Sequence, residues 1–113
     1  MKEKFYSFIK NLQDKITKEF ELIDGNEFFA EDVWQRKEGG GGRTRILQNG
    51  GVFEKGGVNI SKVYGKLPKS MQSYFKVGDV DFFACGLSLV LHPKNPMIPT
   101  VHANWRYFEM YDK

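Results

Sequence analysis

Between Lys2 and Asp24 the apolar residues recur at spacings of three and four. Phe5, Phe8, Ile9, Leu12, Ile16, Phe20 and Ile23 fall on one stripe, while Lys4, Lys10, Asp14, Lys15 and Lys18 lie off it. That period predicts an amphipathic helix. Gly25 suits its C-cap, because glycine accepts a left-handed backbone without steric cost. After Gly25 the period shortens to two. Val33–Glu38, Arg43–Gln48 and Val52–Val63 alternate polar and apolar residues or are rich in β-branched and aromatic ones, which predicts strands. Asn49-Gly50 is a hairpin signal between two of them. Leu67–Phe75 reads as a short helix with Pro68 near its start. Phe82–His92 and Thr100–Glu109 read as two more strands, joined by a turn or loop that Pro93, Pro96 and Pro99 confine. A helix followed by mostly antiparallel strands implies an α+β fold, with helical cover on a sheet.

The pattern becomes informative about chemistry in the last two strands, where successive side chains alternate faces. Ala84, Gly86, Ser88, Val90 and His92 share one face of the first. Phe83, Cys85, Leu87, Leu89 and Leu91 share the other, a continuous hydrocarbon surface that must be buried. In the second strand His102, Asn104, Arg106 and Phe108 share a face, opposite Val101, Ala103, Trp105 and Tyr107. A hairpin pairing His92 with His102 also pairs Ser88 with Arg106 and gathers the polar groups on one face. A slip by two residues would keep the faces and change the partners. A polar strand face is commonly just solvated, and a lone histidine is commonly structural. Two His, an Asn, an Arg and a Ser beside small residues differ from the Lys, Glu and Thr expected of a merely solvated face.

Length and composition limit what such a face can belong to. The chain has 113 residues, 41% hydrophobic and 27% charged, which suits a single globular domain spanning 1–113. The net charge of +3 comes from scattered Lys and Arg with acids nearby, so no nucleic-acid stripe is expected. One cysteine, Cys85, excludes an internal disulfide and fits a reducing compartment. Glu3 and Lys4 lead straight into the amphipathic segment, unlike a signal peptide. The longest apolar stretch, Phe82–Leu91, is broken by Gly86 and Ser88 and falls short of a membrane span. A cytoplasmic protein is the expectation. Aromatic residues reach 15%, which suits a core and equally a site for a flat ligand. The Gly39–Gly42 run reads as a flexible hairpin loop, or as backbone lying close against a ligand. It lacks the Gly-Lys-Ser/Thr ending of a phosphate-binding P-loop.

Four stretches resemble one family in order along the chain. They are Glu31-Asp32-Val33-Trp34-Gln35-Arg36-Lys37-Glu38 with the glycines that follow, Leu47 through Asn59, Gly86 through Pro96, and Pro99 through Phe108. Together they are similar to the N-terminal part of the oxygen-dependent coproporphyrinogen III oxidases. The resemblance implies that the fold belongs to a larger helix-flanked sheet, so that 1–113 is an incomplete domain and is expected to be inactive alone. It implies coproporphyrinogen III as substrate, dioxygen as co-substrate, no organic cofactor, and a homodimer whose dimer-forming segment lies outside this sequence. It places Ser88, Asn104, Trp105 and Arg106 at substrate-contacting positions, and His102 at that of the proton donor. His92 and His102 correspond to positions given as ligands of a divalent metal, although two imidazoles fall short of a complete site. Of the substrate positions, Trp105 is expected to pack in the core, since it alternates away from His102. A truncated, non-catalytic tetrapyrrole-binding module and an inactive structural fragment are the alternative readings.

Overall fold

The computed structural model describes residues 1–111. Helix α1 (Lys2–Asp24) is followed by strands β1 (Ala30–Gln35), β2 (Gly40–Gln48) and β3 (Phe53–Lys66), a short helix α2 (Lys69–Phe75), and strands β4 (Asp81–Pro93) and β5 (Val101–Tyr111). The strands form one antiparallel sheet in the order β1-β2-β3-β4-β5. The architecture is α+β, as the change of period predicts.

Helix α1 ends at Gly25, whose φ of 73° and N–H to Glu21 make the expected left-handed cap. Its buried line differs from the predicted stripe. Ile9, Gln13, Thr17 and Asp24 are the buried residues of α1, whereas Phe8 and Ile23 are more than half exposed. Polar residues occupy this line because each meets a backbone or charged group of the sheet. The Gln13 side chain donates to the carbonyls of Arg43 and Val58, both at 2.9 Å, and accepts from Arg43 Nε at 2.6 Å. The Arg45 guanidinium bridges Asp14 of α1 at 2.8 Å and Glu31 of β1 at 2.7 Å, and donates to Thr17 at 3.0 Å. Such forked geometry suits arginine and ties helix to sheet.

Asp24 fastens the other end of the helix. Its carboxylate accepts the backbone N–H groups of Glu27, Gly51, Val52 and Phe53 at 2.9–3.0 Å, so it holds the β2–β3 turn. Burial alone would raise the pKa of this carboxyl. The backbone donors outweigh burial and hold the group well below the usual carboxylate range.

The core lies between α1 and one face of the sheet. Leu47, Val58, Ile60, Phe83, Cys85, Leu87, Leu89 and Leu91 are buried there with Ile9, and Phe20, Trp105 and Tyr107 pack against them. The glycine run is hairpin loop only at Gly39. Gly40–Gly42 are paired residues of β2, and the turn lies earlier, at Arg36–Gly39. Strand β1 accordingly begins and ends three residues before its predicted bounds. A Cβ on Gly42 would run into the Ile60 carbonyl and the Trp34 ring, so glycine here is required by close packing.

Among the described residues the opposite face of the sheet carries no long helix. Only α2, in the β3–β4 connection, borders it at one end, where Phe75 stacks on Phe108 with centroids 5.7 Å apart. That uncovered face holds the polar residues of β4 and β5.

Candidate functional site

Strand alternation places Ser88 on the uncovered side, between the buried Leu87 and Leu89. Asn104 lies directly opposite Ser88, and Arg106 opposite Gly86. Arg106 can lean over that position because Gly86 has no side chain. A Cβ there would lie 3.4 Å from Arg106 Cγ and 2.8 Å from the Trp105 carbonyl oxygen. The predicted pairing of His92 with His102 and Ser88 with Arg106 is therefore wrong by two residues. His102 pairs with Val90, and His92 falls beside Thr100, whose Oγ1 is 3.3 Å from His92 Nδ1. The turn causes the slip. It closes on Asn95, which accepts from Ile98 N through its carbonyl and from Met97 N through its side chain. The faces survive the slip, since a shift of two preserves them.

Ser88, Asn104 and Arg106 come together around one shallow concavity of about 240 Å³, which Asn59, Ser61 and Phe108 also line. Among the described residues Arg106 makes no ion pair, so its fork is free for an anion. His102 stands one step along the strand from Asn104. Asn104 Nδ2 lies 3.3 Å from His102 Nε2, and the amide donates when that ring nitrogen is unprotonated. His92 sits farther along, beside a separate hollow lined by Gln48, Asn49, Glu54 and Lys55. Trp105 is on the other side of the sheet, packed against the core under α1, and does not line the concavity. Its neighbours in the sequence do so because strand alternation alone separates them.

For a metal, the two histidines share a face on adjacent strands. Among the described residues, however, no group of three or more His, Cys, Asp or Glu side chains is placed to hold an ion. The described residues therefore do not by themselves complete a metal site. Among the described residues no helix is long and apolar enough to cross a membrane.

Asn59 and Ser61 are functional candidates that strand-by-strand reading of the sequence passes over. Their signal is the alternation Gly57, Asn59, Ser61 between Val58 and Ile60 in β3, the same small-and-polar pattern as in β4. Pairing extends it into a row across all five strands: Asp32, Thr44, Asn59, Ser88 and Asn104. A row of hydrogen-bonding groups with one arginine beside it, floored by small residues, can recognise carboxylates.

Comparison with known proteins shows the family. The family model described as coproporphyrinogen III oxidase matches residues 4–113. An oxygen-dependent coproporphyrinogen-III oxidase of Prochlorococcus marinus (strain MIT 9515) is 54% identical over 110 residues, covering 96% of this chain and 32% of that protein. The chloroplastic coproporphyrinogen-III oxidase 1 of Arabidopsis thaliana is 50% identical over 116 residues, covering 96% of this chain and 30% of that protein. The chain thus spans about a third of the length of these relatives. With nearly its whole length matched by the family model and half its residues shared with such relatives, this chain belongs to the coproporphyrinogen III oxidase family.

Proposed function

We propose that this chain supplies the propionate-binding floor of an oxygen-dependent coproporphyrinogen III oxidase of haem biosynthesis. The observation that carries the reading is the convergence of Ser88, Asn104 and Arg106, which makes no ion pair among the described residues, on one concavity of the uncovered sheet face. Coproporphyrinogen III is a reduced tetrapyrrole bearing four propionates. Arg106 binds one carboxylate through its fork, and Ser88 and Asn104 add hydrogen bonds. For each of two propionates, the bond to the carboxylate breaks and its electron pair becomes the second bond of a vinyl group. Carbon dioxide leaves, and the neighbouring carbon gives up a hydride. Dioxygen accepts that hydride and, with one proton, becomes hydrogen peroxide. His102, one step from Asn104, is placed to supply the proton. Holding a carboxylate at a defined position is what this floor contributes.

A homodimer and cytoplasmic residence belong to the same reading. Burial of the one cysteine, Cys85, is compatible with a reducing compartment. The name "oxygen-dependent" borne by the relatives supports dioxygen as oxidant. A second reading, a tetrapyrrole-binding module without turnover, is favoured by one observation. The site's face is uncovered among the described residues, so water screens its charges.

Fluorescence titration with coproporphyrin III, the stable oxidised form carrying the same propionates, tests the binding reading. Arg106→Lys should weaken binding by about tenfold, since an ammonium cannot make two parallel bonds to a carboxylate. An unchanged dissociation constant for Arg106→Lys would refute it. Aerobic incubation with coproporphyrinogen III then separates turnover from binding alone, and binding without protoporphyrin formation is expected of residues 1–113 by themselves.

A further inference from the structure

Three polar groups at the β1–β2–β3 side of the concavity form a hydrogen-bonded chain. Trp34 Nε1 donates to Thr44 Oγ1 at 3.0 Å, and Thr44 Oγ1 donates to Asn59 Oδ1 at 2.6 Å. An indole N–H can only donate, so it occupies an acceptor site of the hydroxyl. The hydroxyl proton goes to Asn59, whose carbonyl oxygen accepts it, and the amide nitrogen faces away from Thr44. The far end of the chain is also anchored. The Trp34 ring is half-buried and lies against Gly42, where any Cβ would collide with it.

The outcome is an amide NH2 group turned away from Thr44, in a residue whose register partner on the other side is Ser88. Among the described residues no side chain or backbone carbonyl accepts from Asn59 Nδ2. Asn59 lines the same concavity as Arg106. The carbonyl end accepts a short hydrogen bond from a hydroxyl that is itself engaged by the indole, which polarises the amide and strengthens its N–H groups as donors. Two donor hydrogens presented beside an arginine fit an acceptor-only, negatively charged group.

We infer that Asn59 is a further substrate-binding residue that donates its amide N–H to a substrate carboxylate, with Thr44 and Trp34 as positioning residues that set which end of the amide faces the site. The inference rests on the carboxylate reading of this face proposed above. It adds a donor from β3, two strands from Arg106, so a propionate is gripped from two sides and its direction across the sheet is defined.

The test uses residues 1–113 and coproporphyrin III. Dissociation constants are measured for the wild type, Arg106→Ala, Asn59→Ala, Asn59→Asp, Thr44→Val and Thr44→Ser, with near-ultraviolet circular dichroism to show that each folds. Asn59→Ala should weaken binding by about tenfold, as expected for loss of a hydrogen bond to a charged group. Asn59→Asp should weaken it further, since a carboxylate in that place repels a propionate. Thr44→Val should weaken binding and Thr44→Ser should restore it, because only the hydroxyl matters. In nitrogen-15 spectra the Asn59 side-chain NH2 pair, assigned by its loss in Asn59→Ala, should shift on addition of coproporphyrin III. Unchanged binding in Asn59→Ala alongside weakened binding in Arg106→Ala overturns the inference and leaves the carboxylate reading standing. So does an Asn59 NH2 pair that does not respond to ligand. Absence of wild-type binding, or unchanged binding in Arg106→Ala, overturns both. Equal binding by Thr44→Val and Thr44→Ser removes the positioning role.

Discussion

Replacing Asp24 with asparagine changes almost no volume and tests what holds α1 to the sheet. The carboxylate accepts Glu27 N and Gly51 N on Oδ2, and Val52 N and Phe53 N on Oδ1. Asparagine keeps one oxygen and turns an NH2 toward the other two donors. Two charge-assisted bonds, worth about 1.5–3 kcal/mol each, are lost, while relief from burying an ion returns part of that. A net loss of about 3 kcal/mol is expected. Domains of this kind hold about 0.05–0.15 kcal/mol per residue, so the variant forfeits a large share of the total. The pH dependence gives a second signature. The folded-state pKa of Asp24 is depressed, so its contribution is fully present above the ordinary Asp value of about 3.9 and is lost as pH falls from there toward the folded value. Urea denaturation followed by tryptophan fluorescence, from pH 7 down to about pH 2.5, measures both effects. The gap between wild type and Asp24→Asn should be widest at neutral pH and narrow below about pH 4. A gap under about 1 kcal/mol at pH 7, or one that stays constant into acid, would refute the reasoning. Asp14→Asn serves as a control, because Asp14 is 55% exposed and its ion pairs are partly screened by solvent.

Two glycines of the sheet should respond in opposite ways. Gly42→Ala drives a Cβ into the Ile60 carbonyl and the Trp34 ring and should cost about 3 kcal/mol, whereas Gly57→Ala meets nothing within 4 Å and should be neutral or stabilise by up to about 1 kcal/mol. Thermal unfolding of the pair checks this, and equal melting temperatures would contradict the packing role of Gly42. Burial pushes the Cys85 thiol up, and Lys62 offsets this only in part. Iodoacetamide should therefore alkylate native protein at least about a hundredfold more slowly than unfolded protein, as mass spectrometry over time would reveal. Comparable rates would mean that the sheet opens readily beneath α1.

The elements and their faces were legible before any coordinates. Helix α1 runs from Lys2 to Asp24 and is capped at Gly25, as its period and that glycine predict. Ser88, Asn104 and Arg106 share a face, with Leu87, Leu89 and Trp105 on the other, because alternation along a strand is a local property of the backbone. For the same reason a register error of two residues left that grouping intact. The position of Trp105 could likewise be anticipated from alternation against a motif that lists it among its polar neighbours.

What the sequence could not decide were relations between distant residues. The register of β4 on β5 depends on where the connecting turn closes, and Asn95 closes it one residue earlier than a pairing of His92 with His102 requires. Asp24 reads as the last residue of a helix, and its four backbone donors come partly from a turn 27 to 29 positions away. Gln13 and Thr17 look like surface residues, yet pairing of β2 with β3 puts the Arg43 and Val58 carbonyls and Arg45 within their reach. Asn59 joins the site because β3 lies beside β4, and its carbonyl oxygen meets the Thr44 hydroxyl because β2 lies beside β3. The sequence by itself determined which residues alternate inward and outward, since that follows from bond geometry along the chain. Tertiary structure alone decided which outward residues meet, since strand neighbours and register are set by packing and hydrogen bonds between segments far apart in sequence.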